Sequence, residues 1–239
     1  MNIEILYEDD NMLAINKPAG LVVHSDGKTI EPTLVDWILK KYPEVKKVGE
    51  PWTTLAGEII PRPGIVHRLD RETSGVMLIA KTQKGFENLK KQFQEHKIKK
   101  IYHAFAYGEM KGDKGTIDRP IARSKKDFRM WSAQRGSRGE FRDAVTDYEV
   151  IYRAKGYSFV KVLPKTGRTH QIRVHFKAIN YPLVSDSLYA PNRENTIGFS
   201  RTALHSYEIT FADIDGELHT VTAPYPEDFA SALKALQIP

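Results

Sequence analysis

Apolar residues along this chain recur at two spacings, and the switches between them outline most of the secondary structure. Ile3 to Tyr7 and Met12 to Ile15 read as short strands on either side of a polar turn, Glu8-Asp9-Asp10-Asn11. Lys17-Pro18-Ala19-Gly20 interrupts the pattern, and Leu21-Val22-Val23-His24 resumes an extended run. Thr33 has the character of an N-cap, with Leu34, Trp37, Ile38 and Lys41 on one side of a short helix. From Tyr42 to Gly64 prolines and glycines dominate, which predicts a long ordered loop. Val76-Met77-Leu78-Ile79-Ala80 is a continuous apolar run of strand length and predicts a central strand.

Thr82 to His96 repeats Phe86, Leu89 and Phe93 at helical spacing. Ile101 to Tyr107 then alternates, with Ile101, His103, Phe105 and Tyr107 on one face and Tyr102, Ala104 and Ala106 on the other. Two alanines beside Tyr102 leave room for something to lie against its ring. Strands are expected at Val145–Tyr152 and Ser158–Leu163, and a helix over Thr169–Ile179 would align Ile172, His175, Phe176 and Ile179. Asp213-Ile214-Asp215-Gly216 between His205–Phe211 and Glu217–Thr222 is a hairpin signal, and Asp228 to Leu236 closes the chain as a helix. With no internal repeat, coiled coil or linker, the expectation is one α+β domain over residues 1–239. Its sheet should be mixed and largely antiparallel, flanked by helices and loops.

Composition changes this picture by exclusion. At 239 residues the chain is long enough to bury a core without covalent staples. It has no cysteine, which removes disulfide scaffolds, thiolate metal sites and cysteine nucleophiles together. The N-terminal residues lack the basic and apolar regions of a signal peptide, and no apolar run approaches the ~20 residues of a membrane helix. A soluble, cytoplasmic protein is expected. Lys and Arg number 36 against 30 Asp and Glu, a net +6 that favours a polyanion partner without establishing one. The excess is concentrated in Arg119–Arg142, where Arg119, Arg123, Lys125, Lys126, Arg129, Arg135, Arg138 and Arg142 face only Asp127 and Glu140. Phe128, Trp131 and Phe141 are interleaved with them. Taken alone, the segment reads as a basic loop with aromatic surfaces in it, or as a solvated loop that binds nothing.

Two polar clusters could carry chemistry. In His67-Arg68-Leu69-Asp70-Arg71-Glu72-Thr73-Ser74-Gly75, Asp70 lies between two arginines just before the central strand. An opposing arginine favours the anion, and a carboxylate nucleophile must be ionised. The same Asp could instead cap a turn or make an ordinary ion pair. In Leu163-Pro164-Lys165-Thr166-Gly167-Arg168-Thr169-His170-Gln171-Ile172-Arg173-Val174-His175, His170 and Arg173 are spaced to share a helix face. His170 and His175 are not spaced as two metal ligands on one helical face, and no metal is expected. The plainer reading is a helix start carrying solvated basic residues.

Together the clusters are far more specific. His67-Arg68-Leu69-Asp70, Thr73-Ser74-Gly75 and Ala80-Lys81-Thr82 resemble the signature of the RluA-type pseudouridine synthases. Gly167-Arg168-Thr169-His170-Gln171-Ile172-Arg173-Val174-His175 resembles the same family's later motif. Asn16-Lys17-Pro18-Ala19-Gly20-Leu21, the Lys-Lys-Ile-Tyr stretch ending at Tyr102, and Ala203-Leu204-His205 add to it, so the resemblance runs from about residue 3 to residue 225. Ser185 and Ala190 stand where glycines are usual, and Ser206 where alanine is common.

The resemblance implies the pseudouridine synthase fold, with an active-site cleft across the sheet, and the conversion of uridine to pseudouridine in ribosomal or transfer RNA. It implies that Asp70 is the essential carboxylate, that Arg173 pairs with it, and that Tyr102 lies against the target base. Arg68 would enter the space left by the flipped nucleotide, His67, Arg168, His170 and Gln171 would line the substrate site, and the basic loop would contact RNA through Arg129, Arg135 and Arg138. No cofactor, metal or obligate protein partner is implied, and a monomer is the default. The separate N-terminal RNA-binding domain of many relatives is not expected here. Two other classes are open: a silent RNA-binding factor, which would be free to lose Asp70, Tyr102 and Arg173, and a glycosidic hydrolase. The latter usually needs two carboxylates, and Glu72 is the only other acid near Asp70.

Overall fold

The computed structural model describes residues 1–25, 30–53, 57–125, 127, 129–134 and 137–238, with Arg138 described in its backbone alone. The described chain divides into two compact units. One comprises Met1–Lys99 with Ser206–Pro224, and the other Lys100–His205 with the chain from Tyr225 onward.

The first unit opens with β1 (Glu4–Glu8) and β2 (Met12–Lys17), paired antiparallel with a bulge between Ile5 and Tyr7. Helix α1 (Leu34–Lys41) starts where the sequence indicates. Thr33 and Asp36 form a reciprocal capping box, which satisfies two otherwise orphaned backbone donors. The expected long ordered loop contains secondary structure: Pro43–Lys47 makes a 3-10 turn, and β3 (Trp52–Thr53) pairs with β4 (Ile59–Ile60). Strand β5 (Ser74–Ala80) is buried at every position, as its unbroken apolar run requires, and pairs antiparallel with β2. Helix α2 (Gln83–Gln94) is capped by the Thr82 hydroxyl and presents Phe86 and Leu89 to the core.

The second unit begins with β6 (Lys99–Tyr107), followed by β7 (Lys114–Asp118) and the short strands β8 (Ile121–Arg123), β9 (Trp131–Ser132) and β10 (Arg138–Arg142). Next come β11 (Val145–Ala154), β12 (Tyr157–Pro164) and α3 (Gln171–Ala178). β13 (Leu204–Ala212) carries the chain back to the first unit, β14 (Leu218–Thr222) completes the hairpin with it, and α4 (Glu227–Ala235) belongs to the second unit. The strand order is β1-β2-β5-β13-β14 in the first unit and β6-β12-β11-β7 in the second. The architecture is α+β, and the ladders β6·β12, β11·β12 and β7·β11 all run antiparallel.

Two expectations need correction. The basic segment is not a simple loop: β8, β9 and β10 form a small antiparallel sheet. Its order comes from cross-strand pairing of arginine with aromatic, since the Arg123 guanidinium lies 4.8 Å from the centre of the Trp131 ring opposite it. Lys126, Phe128, Arg135 and Gly136 lie outside the described residues. Helix α3 starts at Gln171 rather than Thr169, because His170 takes a left-handed backbone (φ 56°) that an α-helix cannot include.

The alternation read along β6 separates two apolar clusters in the second unit. Phe105 and Tyr107 pack with Phe159, Phe199 and Phe229, while Ala104 and Ala106 pack with Ile172 and Phe176 of α3. The alanine positions are thus covered by α3 side chains. Three histidines are buried in this unit, His103, His175 and His205, and the surroundings of the first two fix their charge. His103 lies 2.6 Å from the Tyr225 hydroxyl, and burial, with His205 and Lys161 adding, pushes its pKa down to about 4. His175 is bracketed by Thr146 Oγ1 at 2.9 Å and the Arg119 carbonyl at 2.9 Å, and burial lowers its pKa as well.

Both imidazoles are therefore neutral in the folded state, and the unfolded chain takes protons first as pH falls. Their contribution is complete above the unfolded value of about 6.5 and is lost progressively towards the folded value. Urea unfolding at pH 5 should show about 1–3 kcal/mol less stability than at pH 7.5, with a smaller loss in His103→Gln. Equal stability at the two pH values would contradict neutral burial.

Candidate active site

In the first unit the Asp70 cluster forms a tight turn, closed by the Thr73 amide donating to the Asp70 carbonyl at 3.1 Å. Lys17 braces it from below. Its ammonium has no exposed surface and donates to the carbonyls of Pro18 (2.9 Å), Leu21 (2.9 Å) and Arg71 (3.2 Å). The Gly20 amide reaches the same Arg71 carbonyl at 2.8 Å, so one backbone oxygen ties the Lys17-Pro18-Ala19-Gly20 segment to the turn.

Gly75 fixes the far end. Its φ is 109°, and a Cβ there would lie 2.1 Å from the Ser206 carbonyl oxygen, so only glycine fits. Ser206, in place of the usual alanine, is accommodated because its hydroxyl donates to the Val76 carbonyl at 3.0 Å. His67 accepts from the Leu78 amide at 2.9 Å through Nε2 and stacks on Phe93, so the ring secures the turn to β5 and α2. Asp70 is half-buried and Arg68 exposed.

In the second unit, α3 carries Arg173 on its buried side. The guanidinium makes two parallel bonds to Asp186, Nε to Oδ2 at 2.7 Å and Nη2 to Oδ1 at 2.8 Å, and stands 5.2 Å from the centre of the Tyr189 ring. Asp186 Oδ1 also accepts from the Leu188 and Tyr189 amides, both at 3.0 Å. This fork-to-fork pairing fixes the plane and direction of the guanidinium. Tyr102, half-buried on β6, packs against the cluster that holds Ile172 and Phe176, so its ring and α3 share one apolar support.

The remaining expected residues divide. Gln171 is not placed to read a substrate: it is buried and all four of its hydrogen-bonding positions are used. Its Oε1 accepts from the Thr166 hydroxyl (2.7 Å) and the Arg168 amide (2.9 Å), and its Nε2 donates to the Val145 carbonyl and Thr146 Oγ1, both at 3.0 Å. It holds the motif loop against β11. Arg168 is exposed and donates to the Asp143 carbonyl at 3.0 Å. His170 lies 3.0 Å from the Tyr189 hydroxyl through Nδ1, and that hydroxyl also accepts from the Trp131 amide at 2.9 Å. Tyr189 thereby links the small basic sheet to the Arg173 side of α3. Arg129 is exposed and grips Asp127, 2.7 Å from Nη2 to Oδ2. Arg135 is outside the described residues, and the Arg138 side chain likewise.

Sequence reasoning missed Lys17, Asp186 and Tyr189 as supports. Asp186 carried one signal, a lone acid between the apolar pairs Leu183-Val184 and Leu188-Tyr189. Its neighbour Ser185 has φ 54°, which explains why glycine suits that position. The strain of about 1 kcal/mol is offset as the Ser185 hydroxyl donates to the Phe199 carbonyl (2.9 Å) and accepts from Asn195 (2.8 Å). Among the described residues one acid–histidine group has metal-like spacing, Asp213, Glu217 and His219, on the β13–β14 hairpin. Asp213 is already bound to His219 at 2.8 Å and to the amides of Asp215 and Glu217.

Removing the carboxylate of a buried ion pair takes away the guanidinium's bidentate acceptor. Asp186→Asn should cost about 3–5 kcal/mol in chemical denaturation, whereas Arg173→Met with Asp186→Asn, which keeps an oxygen for the Leu188 and Tyr189 amides, should cost less. A loss below about 1 kcal/mol for the single change would show that the pair is solvated.

A family model described as RNA pseudouridylate synthase matches residues 11–178. An uncharacterized RNA pseudouridine synthase of Synechocystis is 36% identical over 236 residues, covering 98% of this chain and 69% of the relative. The ribosomal large subunit pseudouridine synthase D of Neisseria meningitidis serogroup B is 37% identical; the match covers 100% of this chain and 62% of that protein, less than two thirds of its length. The solved structure of human RNA pseudouridylate synthase domain containing 4 has the same fold, with a TM-score of 0.74 at 23% identity over 98% of this chain and 93% of that one. The chain belongs to the RluA-type family of RNA pseudouridine synthases, enzymes that isomerise uridine in RNA.

Proposed function

We propose that residues 1–239 act as one catalytic domain that converts specific uridines of ribosomal RNA, or of transfer RNA, to pseudouridine, with Asp70 as the essential carboxylate. The observation that carries the assignment to Asp70 is the construction of its turn. A lysine with no exposed surface pins the turn's backbone at Arg71, and the forced glycine at position 75 pins its exit, while the Asp70 side chain is left half-buried. Reacting groups need this kind of preorganised support. In this reading Arg173 pairs with the carboxylate, Tyr102 lies against the base, and Arg68 enters the stack where the nucleotide leaves. Extruding a base costs a few kcal/mol, and an exposed planar guanidinium that can stack and bond to phosphate is suited to offset part of that.

Ribosomal RNA is favoured because relatives that match the full chain are named ribosomal large subunit synthases. Beside the basic sheet, a groove of about 250 Å³ lined by Met130, Trp131, Lys177 and Tyr189 offers both charge and stacking surface to such an RNA. The enzyme works in the cytoplasm as a monomer without cofactor or metal. No helix among the described residues is long and apolar enough to cross a membrane.

Purified protein incubated with ribosomal RNA should yield an isomer of unchanged mass, and Asp70→Asn should bind that RNA with unchanged affinity while turnover falls to background. Release of free uracil would mean hydrolysis instead, and substantial turnover by Asp70→Asn would remove this carboxylate from the mechanism. Neutralising Arg129 and Arg138 together should weaken RNA binding and flatten its salt dependence. An unchanged binding curve across salt concentrations would return the basic sheet to a role without RNA.

A further inference from the structure

Arg62 lies just before the Asp70 cluster, in Pro61-Arg62-Pro63-Gly64. Its side chain is partly buried, and its Nε is sealed from solvent with no hydrogen-bond partner among the described residues. The guanidinium stands 6.0 Å from the centre of the Trp52 ring, a contact that supports a cation weakly and does not neutralise it. Its charged neighbours make matters worse. Burial and the like charge of Arg68 both act to lower its pKa, and the one acid opposing them is Glu50, already bridged to Lys90 at 2.6 Å. A partly buried cation next to another cation, opposed only by an acid that is already bridged elsewhere, is poorly balanced in the free protein. An orphaned polar atom in a native structure calls for an explanation, and a ligand is a natural one.

We infer that Arg62 and Arg68 together bind a backbone phosphate of the RNA beside the target nucleotide, and that Trp52 stacks on an adjoining unpaired base. The inference rests on RNA being the substrate and adds a phosphate subsite to it. Three observations fit. Trp52 keeps 38% of its surface exposed although it sits in the β3–β4 ladder, so its ring is available to a base. Arg62 is held between two prolines, which limit its backbone freedom and preorganise the guanidinium. Arg68 belongs to the Asp70 turn, so a phosphate held by both arginines would place the strand next to the reacting nucleotide. Two guanidiniums converging on one phosphate relieve their mutual repulsion only when the anion arrives.

A residue kept for a ligand leaves a different signature from one kept for the fold. In Arg62→Gln the free protein should keep or raise its melting temperature, because a poorly solvated charge is gone. Binding to a labelled oligouridylate, followed by fluorescence anisotropy between 50 and 200 mM KCl, should weaken several-fold. The slope of log K against log salt should fall by about 0.7, the value for one phosphate contact on a single strand. Arg62→Lys should retain the slope, and Trp52→Ala should weaken binding without changing it.

An unchanged slope in a folded Arg62→Gln, or a large drop in its melting temperature with unchanged affinity, would overturn the inference. If Arg62→Gln does not fold, Arg68→Gln supplies the same slope measurement, and a full slope there overturns it equally. Failure of wild type to form pseudouridine, with the slope change intact, would count against the proposed reaction and leave the phosphate subsite standing.

Discussion

Burying a guanidinium without a matched acceptor costs several kcal/mol, and on the buried side of α3 Asp186 meets Arg173 with both carboxylate oxygens. Much of the second unit's polar interior follows from that pair. Asp186 takes the amides of Leu188 and Tyr189, which positions the Tyr189 ring against the guanidinium and its hydroxyl between His170 and the Trp131 amide. The start of α3, the Arg173 side chain and the edge of the basic sheet are thereby set by one carboxylate. Such a pair adds little net stability compared with apolar packing, and its value lies in fixing direction.

The first unit handles a buried charge differently. Lys17 donates to three backbone carbonyls, one of them in the Asp70 turn. Arg62 differs: among the described residues its sealed Nε makes no hydrogen bond, Arg68 repels it, and the acid that opposes this, Glu50, is bridged to Lys90. Lys17 and Arg173 are buried with their charges met, whereas Arg62 is partly buried and its sealed Nε makes no hydrogen bond among the described residues. That contrast gives the unsatisfied one its functional weight, since evolution has means to balance such charges and has used them nearby.

The parts of this fold that could be read from sequence are those decided by local periodicity. β5 shows as an apolar run because it is buried on both faces, and β6 shows as an alternation because it separates two clusters. Helix α2 shows through Phe86 and Leu89. What could not be read depends on partners far along the chain or on backbone atoms. Lys17 acts on a carbonyl 54 residues away, and Tyr189 on an amide 58 residues away. A backbone acceptor leaves no trace in residue identity. The basic sheet was hidden because its strands are short and arginine-rich, with order supplied by the Arg123–Trp131 contact and the Tyr189 anchor. The left-handed turn at His170 moved the helix start and took that residue off the face on which spacing had put it. The family was legible from Asp70 and its ordered motifs, while the work of Gln171 in holding the motif loop became visible only with its four bonds.

The most direct test of the account is a pseudouridine map of RNA from cells lacking this gene, made by carbodiimide treatment and primer extension, with wild type or Asp70→Asn restored. The expected result is one or a few lost sites in ribosomal or transfer RNA that return with wild type and not with Asp70→Asn. A map unchanged by loss of the gene, or sites restored equally by Asp70→Asn, would contradict it.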